Sequence, residues 1–266
     1  MKVIERQEEI VALLKEQKQI SIQEICEQLH YSESTVRRDL KQLEHAQIIT
    51  CARGGAVLNP NSSVETPLAL RKSLNRLVKI SIAREAAHLV QDNQIIILDA
   101  STTVQEMIPY LKSKKNLTVI TSSLPCAQRA AQELNCTLIC LGGKYHKPTA
   151  SFLGGSAIAA LNNWFADQLF FSCAAIDAVN GLTNQGDDFA QMEASMLHQS
   201  KKAVLLADST KFGKTAAYRL PVDDIDKIIV DYHPMFDEDI WKSYRKKMLF
   251  VQDPYADEEK AEETNN

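Results

Sequence analysis

The sequence predicts an α/β protein in two parts: a small helical block closed by a short β-ribbon, then a larger domain with a mainly parallel sheet. Three observations predict it. Apolar residues recur at helical spacing up to about residue 47. A run of turn and breaker residues, Leu58-Asn59-Pro60-Asn61-Ser62-Ser63-Val64-Glu65-Thr66-Pro67, then interrupts the chain. Beyond it, apolar strand cores alternate with helix-compatible stretches, the pattern of a sheet covered on both faces. The expected boundaries are a first domain at 3–58, a linker at 59–73, an α/β domain at 74–251 and a tail at 252–266. The tail holds six acidic residues and one lysine, so it lacks the apolar surface that folding requires and is expected to be disordered.

In the first block, Ile10, Leu13 and Leu14 define one amphipathic helix over roughly Ile4 to Glu16. Ser21 followed by Glu24 forms a capping-box signature, and Ile22, Ile25, Cys26 and Leu29 fall on one face of a second helix. His30-Tyr31-Ser32 reads as a short turn. A third helix starts near Ser32 or Glu33, with Val36, Leu40 and Leu43 in a narrow apolar arc. Ser34, Arg38, Lys41 and His45 face the other way, Arg37 sits at the margin and Asp39 to one side. Such a face is either simply solvated or one that reads DNA, since arginine bonds guanine edges bidentately and a helix fits the major groove. Two short helices, a tight turn and a basic third helix match the way a recognition helix is presented. Ile48 to Val57 reads as two strands around a turn with Arg53, Gly54 and Gly55 near the tip, either a wing that reaches phosphate or minor groove or a plain hairpin.

Beyond the breaker run, a helix is expected from about Leu70 to Val90. Strand cores follow at Ile95–Leu98, Leu117–Ile120, Thr137–Leu141, Gln168–Ala175, Ala203–Ala207 and Lys227–Val230. These strands end in Asp99, Thr121, Gly142-Gly143, Asp177, Asp208 and Asp231, and ligands of open α/β sheets bind beyond such carboxyl ends. Asp99-Ala100-Ser101-Thr102-Thr103 leaves a strand and opens a helix, which suits either a phosphate cradle or an ordinary N-cap. Asp208-Ser209-Thr210-Lys211-Phe212-Gly213 offers a lysine to neutralise a phosphate, or an Asp208–Lys211 pair in a surface loop.

Composition narrows the function classes. A net charge of −4 speaks against non-specific coating of nucleic acid while leaving room for a local basic face. The start turns polar at once and no apolar run spans a bilayer, so a cytoplasmic protein with no membrane partner is expected. Cys26, Cys51, Cys126, Cys136, Cys140 and Cys173 lack metal-ligand spacing and read as reduced core thiols, with no metal site.

Ser34-Thr35-Val36-Arg37-Arg38-Asp39-Leu40-Lys41-Gln42-Leu43-Glu44, followed by Arg53-Gly54-Gly55-Ala56, resembles the DNA-binding domain of DeoR-family bacterial repressors from about Val3 to Leu58. The resemblance implies a winged helix-turn-helix, with about Ile20 to Asp39 as the helix-turn-helix proper. The DNA-contacting candidates are Ser34, Thr35, Arg37, Arg38, Lys41 and Arg53. The segments at 98–103, 121–124, 141–143, 181–183 and 208–213 are similar, in order, to that family's sensor domain over about Leu74 to Asp231. This implies a fold related to phosphosugar isomerases of the ribose-phosphate type and a phosphorylated sugar or related metabolite as effector. The effector-contact candidates are Asp99, Ser101, Thr102, Thr103, Thr121, Ser122, Gly142, Gly143, Asp208 and Lys211. Ala100-Ser101, Ser122 and Ser172-Cys173-Ala174-Ala175 depart from the commonest family pattern, and side chains there obstruct backbone approaches that glycine permits.

The expectation is therefore a homo-oligomeric repressor of a sugar-catabolism operon that binds double-stranded operator DNA and a small-molecule effector, without a cofactor. One alternative is a sugar-phosphate enzyme using Asp99, Asp177, Asp208 and Lys211, although no nucleophile elbow, metal cluster or Walker loop is recognisable and no catalytic residue is assigned. Another is a thiol switch at Cys51 or at Cys136 and Cys140.

Overall fold

The computed structural model describes residues 3–17, 19–45, 49–52, 54–58, 68–220 and 225–252. The chain divides into two compact units, 1–74 and 75–266.

The first unit carries α1 (Val3–Gln17), β1 (Gln19–Ser21), α2 (Ile22–Leu29), α3 (Glu33–His45), β2 (Ile49–Ala52), β3 (Gly55–Leu58) and α4 (Leu68–Ser73). The capping box forms as expected: the Ser21 hydroxyl accepts from the Glu24 N–H at 3.1 Å and the Glu24 carboxylate accepts from the Ser21 N–H at 2.8 Å. His30 ends α2 in the left-handed conformation (φ 55°), which turns the chain into α3. Ile10, Leu14, Ile25, Val36, Leu40 and Leu43 of the three helices bury their apolar faces in one core.

The ribbon gains a strand that the sequence did not suggest: β1 pairs antiparallel with β3, Ile20 opposite Ala56, giving the order β1-β3-β2. This explains the paired glycines. Gly54 turns at φ +85°, and a Cβ on Gly55 would lie 2.4 Å from the Ile20 carbonyl oxygen, so a side chain there would force β1 and β3 apart.

The segment expected to be a linker, 59–73, contains α4, and the breakers are confined to 59–67, outside the described residues. The single helix expected over Leu70–Val90 is two helices, α4 and α5 (Arg76–His88), because Asn75 takes a left-handed conformation at φ 52°. Asparagine tolerates that region better than most residues.

The second unit continues with β4 (Ile95–Leu98), α6 (Thr102–Gln105), β5 (Leu117–Thr121), α7 (Leu124–Glu133), β6 (Cys136–Cys140), β7 (Lys144–His146), β8 (Ser151–Leu153), α8 (Gly155–Leu161) and β9 (Gln168–Phe171). Then come β10 (Ala175–Asp177), β11 (Gly181–Asn184), α9 (Asp187–His198), β12 (Ala203–Leu206), β13 (Tyr218–Leu220), β14 (Lys227–Asp231), α10 (Lys242–Arg245) and β15 (Met248–Val251). Among the described residues the main sheet has seven strands in the order β15-β14-β12-β9-β4-β5-β6, every pairing parallel. Side chains alternate between two cores. Ile96, Leu98, Phe170, Val204, Leu206 and Ile229 pack on one face with α5 and α7, and Ile97, Leu169, Phe171, Leu205, Ile228 and Val230 on the other with α8 and α9. Burial on both faces is why these strands read as unbroken apolar runs.

The run Gln168–Ala175 is not one strand. β9 ends at Phe171, and β10 joins a separate antiparallel sheet, β10-β11-β13, because the Ala174 N–H turns aside to the Asn184 side chain at 2.8 Å. The tail beyond 252 lies outside the described residues.

Candidate functional sites

On α3, Val36, Leu40 and Leu43 are buried while Ser34, Arg37, Arg38 and Lys41 are exposed, so the apolar arc and the polar face separate as the spacing demands. Ser32 opens the helix: its carbonyl accepts the N–H groups of Thr35 and Val36, each at 3.0 Å, and its hydroxyl lies 2.8 Å from that of Thr35 and 3.2 Å from that of Ser34. Arg37 is tied to Glu33 one turn earlier, Nη2 to Oε1 at 2.6 Å, in a pair exposed at both ends. Arg38 and Lys41 have no partner among the described residues and stand free for an external acceptor. Arg53 and the His45 side chain lie outside the described residues.

Asp39 has the opposite role from its arginine neighbours. It is fully buried and takes a two-pronged bond from Arg6 of α1, which itself lies 5.7 Å from the Tyr31 ring centre. The bond to Asp39 holds the Arg6 guanidinium above its ordinary pKa, against the effect of burial. Gln7 of α1 also reaches Gln42 at 2.5 Å, and Tyr31 donates to Glu9 at 2.7 Å. These bonds fix the presentation of α3 by bracing it from behind. The sequence pattern had placed Asp39 only to one side.

The second site lies where the strand order reverses. From β4 the chain runs outward through β5 and β6, then returns past β4 to β9, β12, β14 and β15, so β4 and β9 flank the switch point. Asp99 leaves β4 there, buried, and its two oxygens accept the Ser101 and Ser172 N–H groups, each at 2.8 Å. Burial pushes its carboxyl up to about 6, against these bonds and the charge of Lys211. Lys211 donates to the Ser172 hydroxyl at 2.7 Å and the Cys173 carbonyl at 2.8 Å. Asp208 is also buried. Burial raises its pKa, but the Lys211 charge, the Thr210 hydroxyl, the Lys79 charge and the Asn75 amide outweigh that and hold it below the ordinary carboxylate range. Within this segment Asp208 and Ser209 are buried, Lys211 is half-buried and Thr210 is exposed, so Asp208 and Lys211 belong to a partly buried network rather than to a pair lying wholly in a surface loop.

Ser101 caps α6, its hydroxyl accepting from the Val104 N–H at 3.2 Å, so the N-cap reading holds for that hydroxyl. The adjoining Thr103 hydroxyl is buried without a partner among the described residues, as is the Gln105 side-chain oxygen. Thr121 and Ser122 are buried at the end of β5, and Thr121 accepts the Ser123 N–H at 3.1 Å. Gly142 and Gly143 follow β6; a Cβ on Gly143 would lie 2.7 Å from the Leu153 carbonyl oxygen, so glycine is needed there for the approach of β8.

Asp177 does not join this set. It ends β10, outside the main sheet, and accepts the Val179 and Asn180 N–H groups at 3.0 and 2.7 Å, which makes it a turn residue. Residues that were not among the effector-contact candidates include Ser172, Asn75, Lys79 and Ser209, the last donating twice to Asp231 at 2.7 and 2.6 Å. Their partners stand far along the chain, beyond the reach of local spacing. Cys126 and Cys173 are buried as expected, but Cys51 and Cys140 are exposed. Burial raises both exposed thiols, and Glu44 adds to it at Cys51, so neither is activated as a thiolate. No cluster of metal-ligating residues occurs among the described residues, and no helix there is long and apolar enough to cross a membrane.

Family profiles match both units: the DeoR-like helix-turn-helix domain over residues 6–62 and the DeoR C terminal sensor domain over residues 74–232. The chain is 32% identical over 232 residues to the HTH-type transcriptional regulator YulB of Bacillus subtilis, covering 87% of this chain and 90% of that protein. It is 32% identical to the HTH-type transcriptional repressor GlcR of the same organism, with 86% and 89% covered, and 29% identical to a putative aga operon transcriptional repressor of Escherichia coli, with 85% and 86% covered. Among solved structures it is similar to ribose 5-phosphate isomerase A of Methanocaldococcus jannaschii, with a TM-score of 0.39 and 19% identity over 52% of this chain and 55% of that one. With both units matched in order, the chain belongs to the DeoR family of DNA-binding transcriptional regulators and is a regulator, not an enzyme.

Proposed function

We propose that this regulator represses a sugar-catabolism operon and that a phosphorylated sugar or related metabolite, taken up at the carboxyl ends of the parallel strands, releases the operator. The observation that carries this reading is the set of polar groups gathered at the switch point, Asp99, Ser172 and Asp208 buried and Lys211 half-buried among them. The candidate contacts Asp99, Ser101, Thr102, Thr103, Thr121, Ser122, Gly142, Gly143, Asp208 and Lys211 all stand at the ends of β4, β5, β6 and β12. Charge orients the effector. Asp99, Asp208 and Asp231 outnumber Lys79 and Lys211, so carboxylates here suit sugar hydroxyls, while the uncharged hydroxyls and amides of 101–103, 121–122 and 142–143 suit the phosphate. The repressor names of relatives support the direction of control.

Two copies in a symmetric oligomer would set their α3 helices into successive major-groove segments, with Ser34, Thr35, Arg37, Arg38, Lys41 and Arg53 as contacts. Release requires that the effector bind the DNA-free and DNA-bound forms unequally. The test is operator binding by fluorescence anisotropy at fixed salt, with hexose and pentose phosphates and their unphosphorylated sugars added in turn. One phosphorylated sugar should weaken binding by about 5- to 150-fold, the usual range of allosteric coupling, and its parent sugar should not. Unchanged affinity across all phosphorylated sugars would overturn the sensing role.

A further inference from the structure

The two units meet in the chain at one peptide bond, and each side of it is anchored in its own unit. Leu74 packs against the core of the first unit, whereas Asn75 is held by the second. Asn75 stands at the N-cap position of α5 yet does not cap the helix with its side chain. Its amide instead donates to Asp208 at 3.1 Å and to the Thr210 hydroxyl at 3.4 Å, across 133 residues of sequence. One turn into α5, Lys79 is buried and its charge acts on the same carboxylate. The segment 208–212 is itself held within the second unit: Ser209 donates to Asp231, Lys211 reaches Ser172 and Cys173, and Phe212 packs edge-on against Phe236, ring centres 4.8 Å apart.

Polar contacts therefore run without a break from Asp99 at the switch point, through Ser172 and Lys211, to Asp208 and the residue that joins the units. We propose that Asn75 is the residue that couples the strand-end site to DNA binding. Its bond to Asp208 makes the conformation at the junction depend on the state of the 208–212 segment, so that whatever engages Asp208 and Lys211 also acts on Asn75. This inference rests on the reading of the strand ends at the switch point as the effector site, but it is testable without any sugar. Coupling is reciprocal, so DNA must change the 208–212 segment if that segment changes DNA affinity.

The experiment is hydrogen exchange on the full chain, free and bound to a duplex that the protein itself enriches from genomic fragments. In the unaltered protein, DNA should change exchange at the hydrogen-bonded amides of Ser209, Lys211 and Phe212 by about fivefold or more, the low end of ordinary coupling. Asn75→Gly keeps the left-handed backbone and removes the amide, and Asn75→Asp sets a carboxylate against Asp208 without adding the freedom of glycine. Both should bind the duplex and show a change below about twofold. A response that persists in both variants, or none in the unaltered protein, would overturn the role of Asn75. Failure of every sugar phosphate to bind would instead refute the effector reading and leave this result standing.

Discussion

The two sites use charge in opposite ways. On α3 the groups offered to a partner, Arg38 and Lys41, are exposed and unpaired among the described residues, and the charge that matters for architecture, Asp39, is buried behind them. At the ends of the parallel strands the groups proposed to contact the effector, Asp99, Asp208 and Lys211, are also groups that hold the local structure together. A surface that reads a duplex can lose a side chain without loss of fold, because water replaces the missing partner. A buried network cannot, because a carboxylate or ammonium left alone in the interior is expensive.

The contrast is broken most severely by Asp39→Ala, which leaves the part-buried Arg6 guanidinium without its carboxylate. The first unit should lose about 3–5 kcal/mol, read in urea unfolding, with the transition of the second unit in place. A loss like that of an exposed residue would mean that the brace between α1 and α3 is weak.

Next in size is the pH response of Asp99. Its folded pKa is raised to about 6, so between pH ~4 and ~6 the unfolded chain gives up this proton before the folded one does. The stability contribution is therefore present at low pH and is lost as pH rises, by an amount on the order of 2–3 kcal/mol, with no further change above the folded pKa. Asp99→Asn removes this component and also leaves one backbone N–H without an acceptor, so its deficit relative to the unaltered protein should be larger at pH 4.5 than at pH 7. A deficit that grows with pH would contradict the assignment to burial.

Smaller effects separate the two neighbouring arginines. Arg38→Ala should weaken operator binding by about 1–3 kcal/mol if the guanidinium reads a base, with stability unchanged within about 0.5 kcal/mol. Arg37→Ala should weaken it less, because Arg37 gives up its bond to Glu33 before it can contact DNA. Equal losses would show that the Glu33 pair has no influence. Smallest is Glu33→Gln, which removes an exposed pair worth about 0.3–0.5 kcal/mol and frees Arg37; melting should barely move and operator affinity should hold or rise.

Much of this architecture was legible because local rules and burial agreed. Ser21 and Glu24 announced α2, and the doubly buried strands announced a parallel sheet. The misreadings arose where short segments depend on distant partners. β1 has three residues and only Ile20 buried, so no alternation marks it. The apolar run through Phe171 hid the point at which Ser172–Ala174 leaves the sheet for Asp99, Lys211 and Asn184. Asp177 ends a strand as Asp231 does and as Asp99 and Asp208 nearly do, but that strand belongs to another sheet. On α3, helical spacing identified the exposed basic face and could not show that Asp39 answers an arginine on α1.

The role of α3 in reading DNA is tested by competition binding of the Arg38→Ala, Lys41→Ala double variant and the unaltered protein to the same duplex, at one salt concentration and with unrelated DNA present. The double variant should fold normally, bind at least about tenfold more weakly and no longer prefer its own duplex over the competitor. Undiminished, selective binding by a folded double variant would contradict the assignment of α3 as the reading surface.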